Sequence, residues 1–313
     1  MLASIIVRTF NEEKRLDELL ATIERQETDG LDYEVILVDS GSEDNTLQIA
    51  ESHGCKILHI TREEFSFGRS LNRGCEAALG EFLVMVSGHC VPTDKKWLRK
   101  LCQPLMQGEA SYSYGRQIGG PASRYSECCI FAKYYPAQSR IPQEGFYCNN
   151  ANAVIRKSAW TRHRFDEELT GLEDMELARR LVDDGDKIAY VAEACVYHYH
   201  EETWKHVKRR FERESIALQK IMPQIHINIR DLFRYIFSSI WLDWKNAIRD
   251  KVFIRKAFEI VMHRFLQYWG SYVGNHEHRK LSHAQKEEYF YPDELRRKNE
   301  AESRRAIANE GQQ

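Results

Sequence analysis

Four short apolar runs recur through the first ninety residues, each followed by a polar turn: residues 4–8 (SIIVR), 34–38 (EVILV), 56–60 (KILHI) and 82–86 (FLVMV). They do not alternate apolar with polar, which predicts strands covered on both faces. Between them the period changes. Leu16, Leu19, Leu20 and Ile23 fall on one helical face, a helix runs from the DSGSEDNT turn through Leu47 and Ile49, and residues 69–79 read as a third. Strands alternating with helices predict an α/β fold with a mostly parallel, doubly wound sheet. Ligands of such sheets bind at the carboxyl ends of the strands. The turns Thr9 to Glu12, Asp39 to Asp44 and Ser87 to Cys90 therefore share one rim.

Further along, the Gly-, Ser- and Tyr-rich stretch 108–125 reads as a strand with loops, and 147–156 (YCNNANAVIR) as a strand entry. Residues 172–184 predict a helix that opens on Glu173-Asp174, and 188–192 and 194–199 predict closing strands. From about residue 203 the pattern is helical throughout. Phe233, Ile236, Phe237, Ile240, Trp241, Trp244 and Ile248 sit at helical spacing, as do Phe258, Val261, Phe265, Trp269 and Tyr272. The expected organisation is a catalytic domain over 1–215, a helical C-terminal region over 216–279, and a charged, mobile tail over 280–313.

Composition narrows the class. A chain of 313 residues holds one large domain, or one with a helical appendage. Its formal net charge of −2 gives no reason to expect a nucleic-acid partner. Eight cysteines without a C-x-x-C pair read as reduced thiols of a cytosolic protein. The start MLASIIVRTF lacks the layout of a signal peptide, and no apolar run is long enough for a spanning helix. Residues 203–279 carry 15 Lys/Arg against 7 Asp/Glu, so the aromatic helices are basic as well. Packing on the catalytic domain is their default role. A peripheral contact with the inner face of the cell membrane and a homodimer interface are the rivals.

Four constellations carry chemistry. Asn11, Glu12 and Asp39 offer acceptors for a base and ribose at adjacent strand ends, and Ser40-Gly41-Ser42 admits close backbone approach. The plain alternative is a turn with Ser42 or Asp44 capping a helix. Glu173-Asp174 opens a helix where the dipole favours negative charge, and one such carboxylate suffices as general base for an inverting sugar transfer. Ser87-Gly88-His89 follows the fourth strand, where phosphates or a metal would be met. A lone histidine is more often structural. His198 and His200, two apart on a strand, point the same way, and an ordinary surface pair is the plain reading.

In order along the chain, SIIVRTFNEE, VILVDSGSEDNT, FSFGRSLNRGCEAALGEFLVMVSGHCVP, CNNANAVIRKSAW and GLEDMELARRL resemble glycosyltransferase family 2, whose fold is GT-A. The likeness covers about residues 3 to 215 and lies nearest to bacterial surface-polysaccharide enzymes, rhamnosyltransferase-like members included. It implies an inverting transferase moving a sugar from a nucleotide-sugar donor to a glycan or lipid-linked acceptor. Under it, Thr9, Asn11, Glu12 and Asp39 line the nucleotide pocket, with Arg69, Asn72, Gly88 and His89 at the donor. Asp174 becomes the base, and Glu173, Asn150 and Asn152 serve the acceptor. His198 falls where related enzymes carry a metal or phosphate contact.

One motif departs from the family. Its Asp-x-Asp is replaced here by Ser87-Gly88-His89, and Mg²⁺ prefers carboxylate oxygens. His89 and His198 holding Mn²⁺, a metal-independent enzyme in which His89 and Arg69 neutralise the leaving group, and a CMP-sugar donor are the three options. The metal-independent one is slightly favoured. A catalytically altered scaffold or nucleotide-sugar-binding protein is the rival from another class. A nucleotidyltransferase would need a glycine-rich loop that RTFNEE lacks.

Overall fold

In the computed structural model, residues 1–276 are described. β1 (Leu2–Thr9), β2 (Asp32–Asp39), β3 (Lys56–His59) and β4 (Phe82–Ser87) form a parallel block in the order β3-β2-β1-β4. Ala3, Ile5, Ile6 and Val7 of β1 are all fully buried, because the sheet is covered on both sides. Ile5 and Val7 face one core with α1 (Leu16–Glu24) and α4 (Trp97–Met106). Ile6, between them, faces a second core with α3 (Phe67–Ala77) and α7 (Glu173–Asp183). Burying each such side chain contributes about 1.5–3 kcal/mol.

The sheet continues as β7 (Asn152–Arg156), antiparallel to both β4 and β6 (Tyr112–Gly119). β8 (Ile188–His198) then runs parallel to β6, and β5 (Cys90–Pro92) closes the edge antiparallel to β8. The two closing strands predicted over 188–199 are thus one strand, with a register shift against β6 between Gly115 and Gln117. That shift brings Gly119 opposite His198, and β5 brings Cys90 opposite the same residue. The sheet is eight-stranded and mostly parallel in character, and all eight cysteines are free.

Packing divides the chain into two units. The first is Met1–Glu201 together with Asp243–Ile260; the second is Glu202–Leu242 and the chain from Val261. The division therefore does not follow one cut in sequence: α9 (Ile229–Arg249) and α10 (Phe253–Asn275) form a helical hairpin whose tip belongs to the first unit. There it fastens α5 (Tyr125–Tyr134). Ser126 Oγ donates to buried Asp243 at 2.7 Å, Tyr125 Oη donates to Asp250 at 2.7 Å, and the Tyr125 N–H donates to Glu259 at 2.8 Å. In the second unit α10 packs backbone-to-backbone on α8 (Trp204–Ile221). A Cβ at Gly270 would come within 2.3 Å of Lys208 O, so no larger residue fits. The expected charged tail over 280–313 lies outside the described residues. Among the described residues no helix is long and apolar enough to cross a membrane.

Candidate functional site

The first two polar turns interlock. Asn11 holds a left-handed backbone (φ 56°), which an asparagine tolerates better than most residues. Its N–H donates to Ser42 Oγ and its Oδ1 accepts from the Glu43 N–H, both at 2.9 Å. The Glu12 N–H donates to Thr46 Oγ1 at 2.8 Å. Asp39 is wholly buried and receives four donors: Thr9 Oγ1 at 3.0 Å, Ser42 Oγ at 2.5 Å, and the Gly41 and Ser42 N–H groups at 2.9 Å each. Gly41 has φ 92°, a conformation L side chains rarely adopt. Asp39 and Gly41 thus fix the shape of the turn at the rim. The Ser87-Gly88-His89 turn lies against it: a Cβ on Gly88 would meet Glu12 Cγ at 2.9 Å.

The carboxylate pair sits at the start of α7, and both members are buried. Asp174 accepts from the Asn150 N–H and from the Met175 N–H, each at 2.8 Å. Burial pushes Asp174 up to about 7, and the neighbouring charge of Glu173 adds to the rise. The two N–H donors and the positive charge of Arg8 pull the other way without cancelling it. Arg8, at the end of β1, stands 3.7 Å from Glu173 and lies over the Phe67 ring, with its guanidinium carbon 4.9 Å from the centroid. Asn150 closes the group. Its Oδ1 accepts from Tyr112 Oη, while its buried Nδ2 has no hydrogen-bond partner among the described residues. A buried donor without a partner costs about 1–3 kcal/mol, a cost that an incoming acceptor atom would relieve.

The third group is made of histidines. His89, His198 and His200 each bring a ring nitrogen to within 4.8 Å of the others. His89 Nδ1 meets Glu12 Oε1 at 2.7 Å, His198 Nδ1 meets Gln117 Oε1 at 2.6 Å, and His200 Nδ1 meets Glu127 Oε1 at 2.7 Å. His89 Nε2 and His198 Nε2 face one another at 3.1 Å. Phe131 of α5 stacks on the His198 ring, with centroids 5.5 Å apart. Donor-side residues Glu12, Gly88 and His89 are therefore brought to the same place as His198.

Other expected residues lie in different surroundings. Asn72 uses its amide on the Phe165 carbonyl, on Glu167 and on the indole N–H of Trp160, tying α3 to the 160–167 segment. Arg69 pairs with Glu167 at 2.7 Å and donates to the Glu64 carbonyl. Both line a cavity of about 260 Å³ with Glu64, Arg73 and Glu76. Asn152 is fully buried in the sheet. Its Nδ2 donates to the Arg116 and Ala194 carbonyls, and its Oδ1 accepts from Trp97 Nε1. Sequence reasoning passed over Arg8, Gln117 and Glu127, and left His200 open between a partner of His198 and an ordinary surface residue. The i, i+2 spacing of His198 and His200 is the signal that paired them.

The model for glycosyl transferase family 2 matches residues 4–160, and that for glycosyl transferase family group 2 matches residues 133–270. The O-antigen chain rhamnosyltransferase WbaN of Salmonella anatum is 26% identical over 285 residues, which is 85% of this chain and 87% of that protein. The O-antigen chain rhamnosyltransferase RfbN of Salmonella typhimurium is 24% identical over 286 residues, 86% of this chain and 88% of that protein. Two solved structures share the fold. The mannosyltransferase PcManGT from Pyrobaculum calidifontis, in complex with GDP-Man and Mn²⁺, has a TM-score of 0.55 at 16% identity, covering 87% of this chain and 72% of that one. TarS from S. aureus has a TM-score of 0.51 at 16% identity, covering 87% of this chain but only 55% of that one. A family model that spans half the chain, across the interlocked turns of Thr9 to Glu12 and Asp39 and the turn of His89, makes this chain a member of glycosyl transferase family 2, a glycosyltransferase with a GT-A-like fold.

Proposed function

We propose that this protein is an inverting glycosyltransferase of cell-surface polysaccharide synthesis that moves a sugar from a nucleotide-sugar donor to a glycan or lipid-linked acceptor. The observation that carries the reading is Asp174: a buried carboxylate at a helix start, pushed up to about 7 and held by two backbone N–H groups. A base with that affinity for protons is matched to neutral pH. In the reaction, the acceptor hydroxyl gives its proton to Asp174 as its oxygen bonds to the anomeric carbon. The bond from that carbon to the phosphate oxygen breaks, and its electron pair leaves with the nucleotide. No covalent sugar–enzyme intermediate is needed, so one carboxylate suffices. The nucleoside occupies the interlocked turns of Thr9, Asn11, Glu12 and Asp39, with its phosphates toward Gly88 and His89. Glu173, Arg8 and the Asn150 amide orient the acceptor. The test is Asp174→Asn: transfer falls by about 10²–10⁴-fold, while the nucleotide still binds in calorimetry. Turnover within a few-fold of the parent overturns the assignment.

We also infer that the acceptor is met at a membrane surface. On α9 the exposed side chains Phe233, Phe237 and Trp241 recur every four residues, and at the hairpin tip Ile248, Ile254 and Phe258 are exposed beside Arg249, Lys251 and Arg255. Apolar aromatics flanked by cations suit an anionic bilayer interface. Cosedimentation with anionic vesicles tests it: binding is lost on Phe237→Ala with Trp241→Ala, and no binding by the parent chain overturns it.

A further inference from the structure

The histidine group has an arrangement that a chance cluster does not need. Three rings are each oriented by an acceptor from a different element: Glu12 from the turn after β1, Gln117 from β6 and Glu127 from α5. Gln117 and Glu127 are only 1% exposed, so two of these acceptors lie in the interior. A carboxylate or amide oxygen at Nδ1 fixes that nitrogen as the donor and turns the lone pair of Nε2 inward. His89 and His198 bring their Nε2 atoms within 3.1 Å of each other. Two opposed lone pairs repel unless a proton or a metal ion stands between them. The spacing is also that of neighbouring ligands on one ion: nitrogens about 2.1 Å from a metal, at tetrahedral or octahedral angles, lie about 2.9–3.4 Å apart.

We propose that His89, His198 and His200 form an all-nitrogen site for a divalent first-row transition ion of the zinc or cobalt kind, in preference to magnesium. Imidazole suits such ions, whereas magnesium takes oxygen. Glu12, Gln117 and Glu127 act as positioning residues, since a partner on the far nitrogen fixes a ligating histidine's tautomer and raises its basicity. Where the family carries two aspartates, this chain reaches a metal site by another route, with its third ligand just beyond the end of β8. The charge would serve the phosphates of the donor; that part rests on the proposed function, whereas the site itself rests on the ring geometry.

The full chain, stripped with a chelator and dialysed, is titrated with Co²⁺ and followed by its visible ligand-field band, with no donor present. A saturable one-to-one band is expected, displaced by stoichiometric Zn²⁺ and unaffected by a hundredfold excess of Mg²⁺. Glu127→Gln, which keeps an acceptor oxygen, and His200→Ala each weaken Co²⁺ about 10–100-fold. His53→Ala, whose ring pairs with Asp17 and Glu24 away from these residues, leaves it unchanged. Circular dichroism checks that each variant is folded, and the milder Glu127→Gln keeps the test valid if His200→Ala unfolds. No band, a band untouched by both variants, or equal competition by Mg²⁺ overturns the site; a proton shared between the rings gives the first of these outcomes. Nucleoside diphosphate is then titrated into the chelated and the Co²⁺-loaded protein by calorimetry. At least tenfold tighter binding to the loaded form is expected. Equal binding overturns the phosphate role, and no binding to either form overturns the donor reading while the metal site stands.

Discussion

Two buried aspartates at the rim, Asp39 and Asp174, have the same side chain and opposite circumstances. Asp39 ends β2 and is met by four donors, two hydroxyls and two N–H groups, so its charge is fully answered by the protein. Asp174 opens α7 with two N–H donors and a second carboxylate beside it, and its proton affinity rises. A carboxylate with four donors is a rigid part of a binding surface. One with two donors and a like-charged neighbour is ready to take a proton. Burial alone therefore does not sort structural from reactive groups; the count and sign of the neighbours does.

The comparison can be broken by exchanging what each residue loses. The largest effect is on transfer by Asp174→Asn, the loss of about 10²–10⁴-fold given above. Next comes Asp39→Asn. The amide oxygen keeps the Gly41 and Ser42 N–H donors, but the amide NH2 then faces the Thr9 and Ser42 hydroxyls, which lose their acceptor, costing about 1–3 kcal/mol of stability in chemical denaturation. Asp174→Asn differs here too. The group's folded value near 7 lies above its unfolded value near 4, so the folded chain binds the extra proton between them. Stability contributed below about pH 4 is lost as pH rises through about 7. The Asn variant gives up one N–H acceptor but carries no titrating charge, so its melting temperature gains on the parent's between pH 4 and pH 8; a difference that is the same at both pH values contradicts the account. The same value predicts that kcat/KM rises with pH through a midpoint near 7. The smallest effect is a downward move of that midpoint in Glu173→Gln, which removes a like charge. An unmoved midpoint would leave burial as the sole cause.

Much of this was legible in the sequence. β1, β2 and β4 are continuous apolar runs because both faces are covered, and the turns after them follow from punctuation and the rim rule. The Glu173-Asp174 pair was visible as adjacent carboxylates at a helix start. The helix α5 was not. Its buried face carries Ser126, Glu127 and Phe131, so the amphipathic stripe that marks a helix is partly polar. Glu127 is buried against His200 Nδ1 at 2.7 Å, and nothing local to YSECCIFAKY says so. Gln117 was hidden by the register shift that turns it toward His198. Asn152 shows the reverse failure. An asparagine beside the site reads as functional, yet its amide is spent on two carbonyls and an indole inside the sheet. Polar residues in a strand do not announce whether they face a ligand or a neighbouring backbone.

The hairpin tip that fastens α5 bears on how this enzyme could be cut or recombined. A chain ended at Glu201 keeps every strand and all three histidines, yet it loses Asp243, Asp250 and Glu259, which hold the first turn of α5. That turn carries Glu127, and through it the aim of His200. The C-terminal helices are thus no detachable module. Grafting them between relatives requires the α5 start and the tip to travel together, and the compact catalytic portion is a discontinuous stretch of sequence that no single truncation isolates.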